Sequence, residues 1–270
     1  MQKIELFPNP GSKARMVGYL HQTLTEMEEH RTKRPCVLIF PGGGYEFLSE
    51  READPVAFSF FQKGYQVFIL YYSLCEDARD MQVLVDASSA IMTIRNHSDE
   101  WNVREDQIAV CGFSAGGHAA ASLGILWNHP RLLEKINTYG GKNRPDAMIL
   151  CYPVITAGEF AHQGSLKWIS GSEQGTEENE FWALDRHVDS TTPPAFVWHT
   201  VEDDCVPVEN TLFLLNALRK NGISFECHLY PHGGHGMSIC TQEVGSPNPH
   251  AGTWVPLCLQ WLEELFQFAE

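Results

Sequence analysis

Apolar residues in this chain fall into two kinds of run that alternate along its length. The first kind is short and nearly continuous: Val37–Phe40, Gln66–Tyr71, Ile108–Cys111, Ala147–Tyr152, Ala195–His199 and Phe225–Tyr230. Each is too short for a stable helix and rich in β-branched or aromatic residues, so each predicts a buried strand. The second kind is longer and periodic. Val83, Leu84, Ala87, Ile91 and Ile94 recur at helical spacing and predict a long helix within Ala78–His97. Further helices are expected near Asp54–Gly64, from Gly116 onward, over Val208–Asn221 with Gly222 as its stop, and over Trp254–Phe268. Strands separated by helix-length connections imply an α/β fold, with a mostly parallel central sheet flanked by helices on both faces.

One stretch breaks the rhythm. Val154–Pro194 is polar, carries the acidic run Glu177-Glu178-Asn179-Glu180, and includes Trp168, Phe181 and Trp182. It reads as a cap insertion of short helices above the strand ends, because long connections inside compact domains more often serve function than idle. The whole chain of 270 residues is otherwise expected to form one domain, and shows no internal repeat or low-complexity linker.

Composition narrows the partners. A formal net charge of −15 repels nucleic acid and anionic membrane, so neither is expected to bind. A small neutral molecule is easier to reconcile with it, and homo-oligomerisation is left open. The eight cysteines are scattered without C-x-x-C pairs, as for reduced thiols in a reducing compartment. Met1–Pro8 lacks the apolar core of a secretion signal, which makes the cytoplasm the expected location.

Chemistry enters at Gly112-Phe113-Ser114-Ala115-Gly116-Gly117, between an expected strand and a small-residue helix. A serine in G-x-S-x-G at a strand-to-helix turn is lifted above the sheet, where substrate and base both reach it. The hydroxyl alone is too weakly acidic to attack a carbonyl, so it needs a base, and the base an anchoring acid. Candidate acids follow the strand ending at His199, in Glu202-Asp203-Asp204. Asp203, at the loop tip, is favoured, with Asp204 the alternative and Glu202 third. The base lies in His232-Gly233-Gly234-His235-Gly236, where His235 between two glycines is preferred to His232, and His228 falls within a strand. Amide donors for a developing oxyanion are expected from Ala115 and from Gly43 and Gly44 in Pro41-Gly42-Gly43-Gly44-Tyr45. With no H-E-x-x-H or similar ligand spacing, neither a metal nor another cofactor is expected.

These motifs, with Thr192–His199, Asp203 and Val206-Pro207, together resemble the α/β-hydrolase fold esterases of the acetyl esterase and acetylxylan esterase type. The resemblance runs from about Pro35 to the C-terminus. It implies a serine esterase with a small acyl pocket, acting on acetyl groups often carried by sugars, with Ser114 as nucleophile, Asp203 as orienting acid and His235 as base. The related esterases with an H-G-G-G loop have histidine where this chain has Pro41, so any loop-holding role of that histidine must fall elsewhere. Trp168 and Trp182 in the cap, and Tyr45 beside the glycines, are the candidate substrate contacts. A serine peptidase of the prolyl-oligopeptidase kind shares the fold and residue order, but 270 residues leave no room for its propeller. A non-catalytic binding module is the third reading.

Overall fold

The computed structural model describes residues 1–24, 26 and 32–268. Among these described residues eight strands form one sheet: β1 (Gln2–Leu6), β2 (Arg15–Leu20), β3 (Arg34–Phe40), β4 (Gln66–Tyr71), β5 (Val103–Phe113), β6 (Ala147–Cys151), β7 (Ala195–Thr200) and β8 (Phe225–Tyr230). Their order is β1-β2-β4-β3-β5-β6-β7-β8. From β4 to β8 every neighbouring pair is parallel, whereas β1–β2 and β2–β4 are antiparallel. The helices are α1 (Asp54–Phe61), α2 (Gln82–Asn96), α3 (Ala115–Leu126), α4 (Pro130–Leu133), α5 (Gln163–Ser170), α6 (Glu177–Phe181), α7 (Glu209–Lys220) and α8 (Trp254–Phe266).

Strand alternation builds two cores. Cys36, Leu38 and Phe40 of β3 pack with α2, α3 and α7 on one face, through Val83, Leu84, Leu123 and Leu214. Val37 and Ile39 face the opposite way, onto Val56 and Phe60 of α1 and Trp254 and Leu262 of α8. Because both faces are covered, all seven residues of β3 are buried, and its sequence reads as one apolar run rather than an alternation. α3 is buried along its whole length. Its small residues permit that: a side chain at Gly124 would lie 2.3 Å from Met148 Sδ on β6.

The patterning assigns no element before Val37, yet β1 and β2 precede it. β1 is a solvent-facing edge strand with a mostly exposed, charged sequence. In β2 the central Gly18 weakens the local strand signal, and tertiary contact requires it: a Cβ there would sit 2.6 Å from Phe68 on β4. Residues 154–194 join β6 to β7 and hold α5, α6 and a short 3₁₀ turn, Leu184–Arg186. Thr176 caps α6 by accepting the Asn179 N–H through its side chain. Among the described residues no helix is long and apolar enough to cross a membrane.

Candidate active site

β5 ends at Phe113 and α3 begins at Ala115, leaving Ser114 alone in the turn at φ 54°, ψ −120°. Such backbone costs about 1–3 kcal/mol and persists only where its surroundings hold it. Here Ser114 N–H donates to Cys151 O at 3.0 Å, while Ser114 O accepts from His118 N–H at 3.0 Å and Val154 N–H at 3.1 Å. The flanking glycines are sterically required. A Cβ on Gly112 would stand 2.2 Å from Gly116 O, and one on Gly116 would stand 2.1 Å from Phe40 O.

The loops after β7 and β8 bring Asp203 and His235 to that serine. His235 Nε2 lies 2.8 Å from Ser114 Oγ, and His235 Nδ1 lies 2.7 Å from Asp203 Oδ2. An ionised carboxylate can only accept, so Nδ1 carries the proton and Nε2 presents a lone pair to the hydroxyl. Asp203 Oδ1 accepts the Cys205 and Val206 N–H groups at 3.0 and 2.9 Å. Fully buried His199 adds a second imidazole, with Nε2 3.3 Å from Asp203 Oδ2 and 2.9 Å from Val206 O. Burial alone would raise the Asp203 carboxyl. The hydrogen bonds from His199 and His235, with the His235 charge, outweigh it and hold the group well below the usual carboxylate range. The sequence alternatives lie elsewhere: Asp204 is exposed, Glu202 pairs with His232 at the surface at 2.8 Å, and His228 pairs with Glu226 at 2.7 Å.

The glycine turn after β3 lies against the elbow, where a Cβ on Gly42 would be 3.1 Å from Ser114 Cβ. Among the hydrogen bonds of the described residues, the amides of Gly43, Gly44 and Ala115 donate to no protein group. The holding role left vacant by Pro41 falls to two side chains that sequence reading missed. Tyr72 O–H donates to Pro41 O at 2.5 Å, and buried Glu52 accepts the Gly42 N–H at 2.8 Å. Glu52 also accepts from Tyr152 O–H at 2.6 Å. Tyr152 in turn accepts Ser238 N–H at 2.9 Å and sets its ring edge-on to His235 at 5.1 Å. One buried carboxyl thus ties the glycine turn to the histidine loop. Burial raises its pKa, against the lowering hydrogen bonds of Tyr152 and Gly42.

A cavity of about 410 Å³ contains Ser114 and His235 in its wall, together with Gly43, Gly44, Glu46, Phe47, Arg51 and His162. Two of the three expected substrate contacts are corrected here. Tyr45 and Trp182 are fully buried. His118 links them: its Nε2 donates to Trp182 O at 3.0 Å, and its Nδ1 accepts Tyr45 O–H at 2.8 Å. A carbonyl can only accept, which fixes this tautomer, and burial lowers the His118 pKa to about 4, so the ring stays neutral. Both aromatics therefore brace the glycine turn against residues 154–194 rather than meet a ligand. Trp168 is partly buried beside the core, and its indole N–H donates to Glu46 Oε1 at 2.7 Å, one residue removed from the cavity lining. The aromatic ring that does line the cavity is Phe47, 61% exposed. Nothing in the local sequence distinguished it, because an exposed phenylalanine has no periodic signature. Among the described residues no group of three His, Cys, Asp or Glu could hold a metal ion.

A mostly parallel sheet carrying an elbow serine after β5, an aspartate after β7 and a histidine after β8 defines an α/β-hydrolase fold. The BD-FAE family model matches residues 24–218, and the chain belongs to that family. It is 33% identical over 237 residues to endo-1,4-beta-xylanase B of Butyrivibrio fibrisolvens, covering 85% of this chain and 36% of that protein. With the acetylxylan esterase of Xylanibacter ruminicola it shares 28% identity over 276 residues, covering 98% of this chain and 49% of the relative. The chain thus spans between about a third and a half of these curated relatives. Among solved structures, the acetyl ester-xyloside bifunctional hydrolase from Caldicellulosiruptor lactoaceticus superposes with a TM-score of 0.80 at 34% identity, covering 97% of this chain and 92% of that one.

Proposed function

We propose that this protein is a serine carboxylesterase that removes short acyl groups, acetyl foremost, from sugars of the xylose type. The observation that carries the reading is the Asp203–His235–Ser114 chain, closed at 2.7 and 2.8 Å beside three amides with no partner of their own. Ser114 Oγ attacks the ester carbonyl while His235 Nε2 takes its proton, and the new oxyanion is held by the amides of Ala115, Gly43 and Gly44. Asp203 stays ionised and stabilises the imidazolium without accepting its proton. His235 then protonates the leaving alcohol oxygen as the C–O bond breaks, leaving an acyl-Ser114. Water repeats the sequence with the same base and releases the carboxylic acid.

The size of the cavity supports a small substrate: about 410 Å³ is near the lower end of the roughly 300–1,000 Å³ that ligand sites span. The sugar side of the reading is supported by the acetylxylan esterase, xylanase and acetyl ester-xyloside hydrolase among its relatives. In this reading residues 154–194 act as a cap over the site, reaching it through His162. The test is turnover of p-nitrophenyl esters from acetyl to octanoyl, followed by acetylated xylosides, by wild type and Ser114→Ala. Fast acetyl release that declines with chain length and vanishes in Ser114→Ala is expected. Ester turnover that survives Ser114→Ala would overturn the mechanism, and none at all the activity.

A further inference from the structure

His162 stands at the start of α5, where its Nδ1 accepts the Ser165 N–H at 3.2 Å and lies 2.8 Å from Ser165 Oγ. A backbone N–H can only donate, so Nδ1 must be an unprotonated acceptor, and a neutral ring then carries its proton on Nε2. Burial, and after it the proximity of His235, lowers the His162 pKa and favours that neutral ring. Among the described residues nothing accepts the Nε2–H. The ring lines the same cavity as Ser114 and His235, and its Cε1 lies 3.9 Å from where a Cβ on Gly44 would stand. The cavity therefore contains a second imidazole whose tautomer is fixed from behind by its own helix. Its free end is a hydrogen-bond donor with no role in the proton relay.

We propose that His162 Nε2–H is a specificity-determining donor, which binds a hydroxyl or ring oxygen on the alcohol portion of the substrate; this rests on the sugar-ester reading above. The oxyanion already has the amides of Ala115, Gly43 and Gly44, whereas no other donor described on the 154–194 side of the cavity is fixed so firmly. An acceptor on the alcohol gains this bond, and a plain aryl ester does not.

Two isosteres separate the donor from the cap. His162→Asn puts an amide oxygen near the place of Nδ1 and keeps the Ser165 cap, but its shorter side chain does not reach the place of Nε2. His162→Gln reaches that place with an amide donor while losing the cap. The readout is the ratio of kcat/KM for a mono-acetylated methyl xyloside to kcat/KM for p-nitrophenyl acetate, with thermal unfolding run on each variant. His162→Asn is expected to lower the ratio about tenfold, and His162→Gln to recover most of it. An unchanged ratio in His162→Asn, or equal losses on both esters, overturns the assignment while leaving the esterase reading intact. A wild type that cleaves neither ester overturns both.

Discussion

Replacing Glu52 by alanine tests whether one buried carboxyl positions two loops at once. The change removes the acceptor for Gly42 N–H at 2.8 Å and for Tyr152 O–H at 2.6 Å, both donors being buried. Each unsatisfied buried donor costs about 1–3 kcal/mol. Relief from burying a carboxyl whose pKa is raised by desolvation offsets part of that. A net loss of about 2–4 kcal/mol of stability is therefore expected. Activity should fall for a separate reason. Gly42 adjoins Gly43 and Gly44, and losing one oxyanion donor outright costs about 2.7–4 kcal/mol at the transition state. A loosened turn forfeits part of this, so kcat on p-nitrophenyl acetate should drop about 10- to 100-fold with KM little changed. Glu52→Gln provides the internal control. Its single carbonyl oxygen can serve Gly42 while its NH₂ faces Tyr152, leaving one hydroxyl proton stranded. Its losses in urea midpoint and kcat should therefore lie between those of wild type and Glu52→Ala. A Glu52→Ala protein with the wild-type midpoint and a kcat within about twofold would refute the reasoning, because the carboxyl would then hold neither loop.

Further outcomes follow from the geometry. Asp203→Asn should reduce kcat by about 10⁴ through loss of the His235 tautomer. Because the folded-state pKa of Asp203 is depressed, its contribution to stability is present above the ordinary aspartate value near 4 and is lost as pH falls through the folded value; the gap in urea midpoint between wild type and Asp203→Asn should close with acidification and not with alkali. Gly116→Ala puts a methyl 2.1 Å from Phe40 O and 2.4 Å from Pro41 O, both backbone atoms, so a loss of at least about 3 kcal/mol is expected by thermal or urea unfolding. Trp182→Ala should cost about 3–5 kcal/mol of stability as a core truncation, whereas Phe47→Ala should leave the unfolding midpoint alone and raise KM for sugar acetates about threefold to tenfold; the reverse pattern would restore Trp182 as the substrate platform.

What could be read from the chain beforehand follows a physical division. The parallel strands and their helices were legible because both sheet faces are covered, which forces continuous apolar runs such as Val37–Phe40 and Ala147–Cys151. The edge strand β1 and its neighbour β2 were not, since β2 is specified by pairing with β4, and β1 by pairing with β2, rather than by their own residues. At the site, the Ser114, Asp203 and His235 positions were legible because each occupies a turn with its own local chemistry, and the structure brings those three together. Trp182 and Tyr45 show the opposite case. Residue type suggested contact with a ligand, but burial is a tertiary property, and the His118 bridge that pulls Tyr45 and Trp182 inward spans 73 and 64 residues of sequence. Glu52 was invisible for the same reason, as its bond to Tyr152 spans 100 residues. The groups assigned to the chemistry sit on sharp turns even where they are themselves buried, as Ser114 and Asp203 are, and sharp turns leave marks in sequence. The groups that hold those turns in place are buried, and their function exists only once the chain has closed around them.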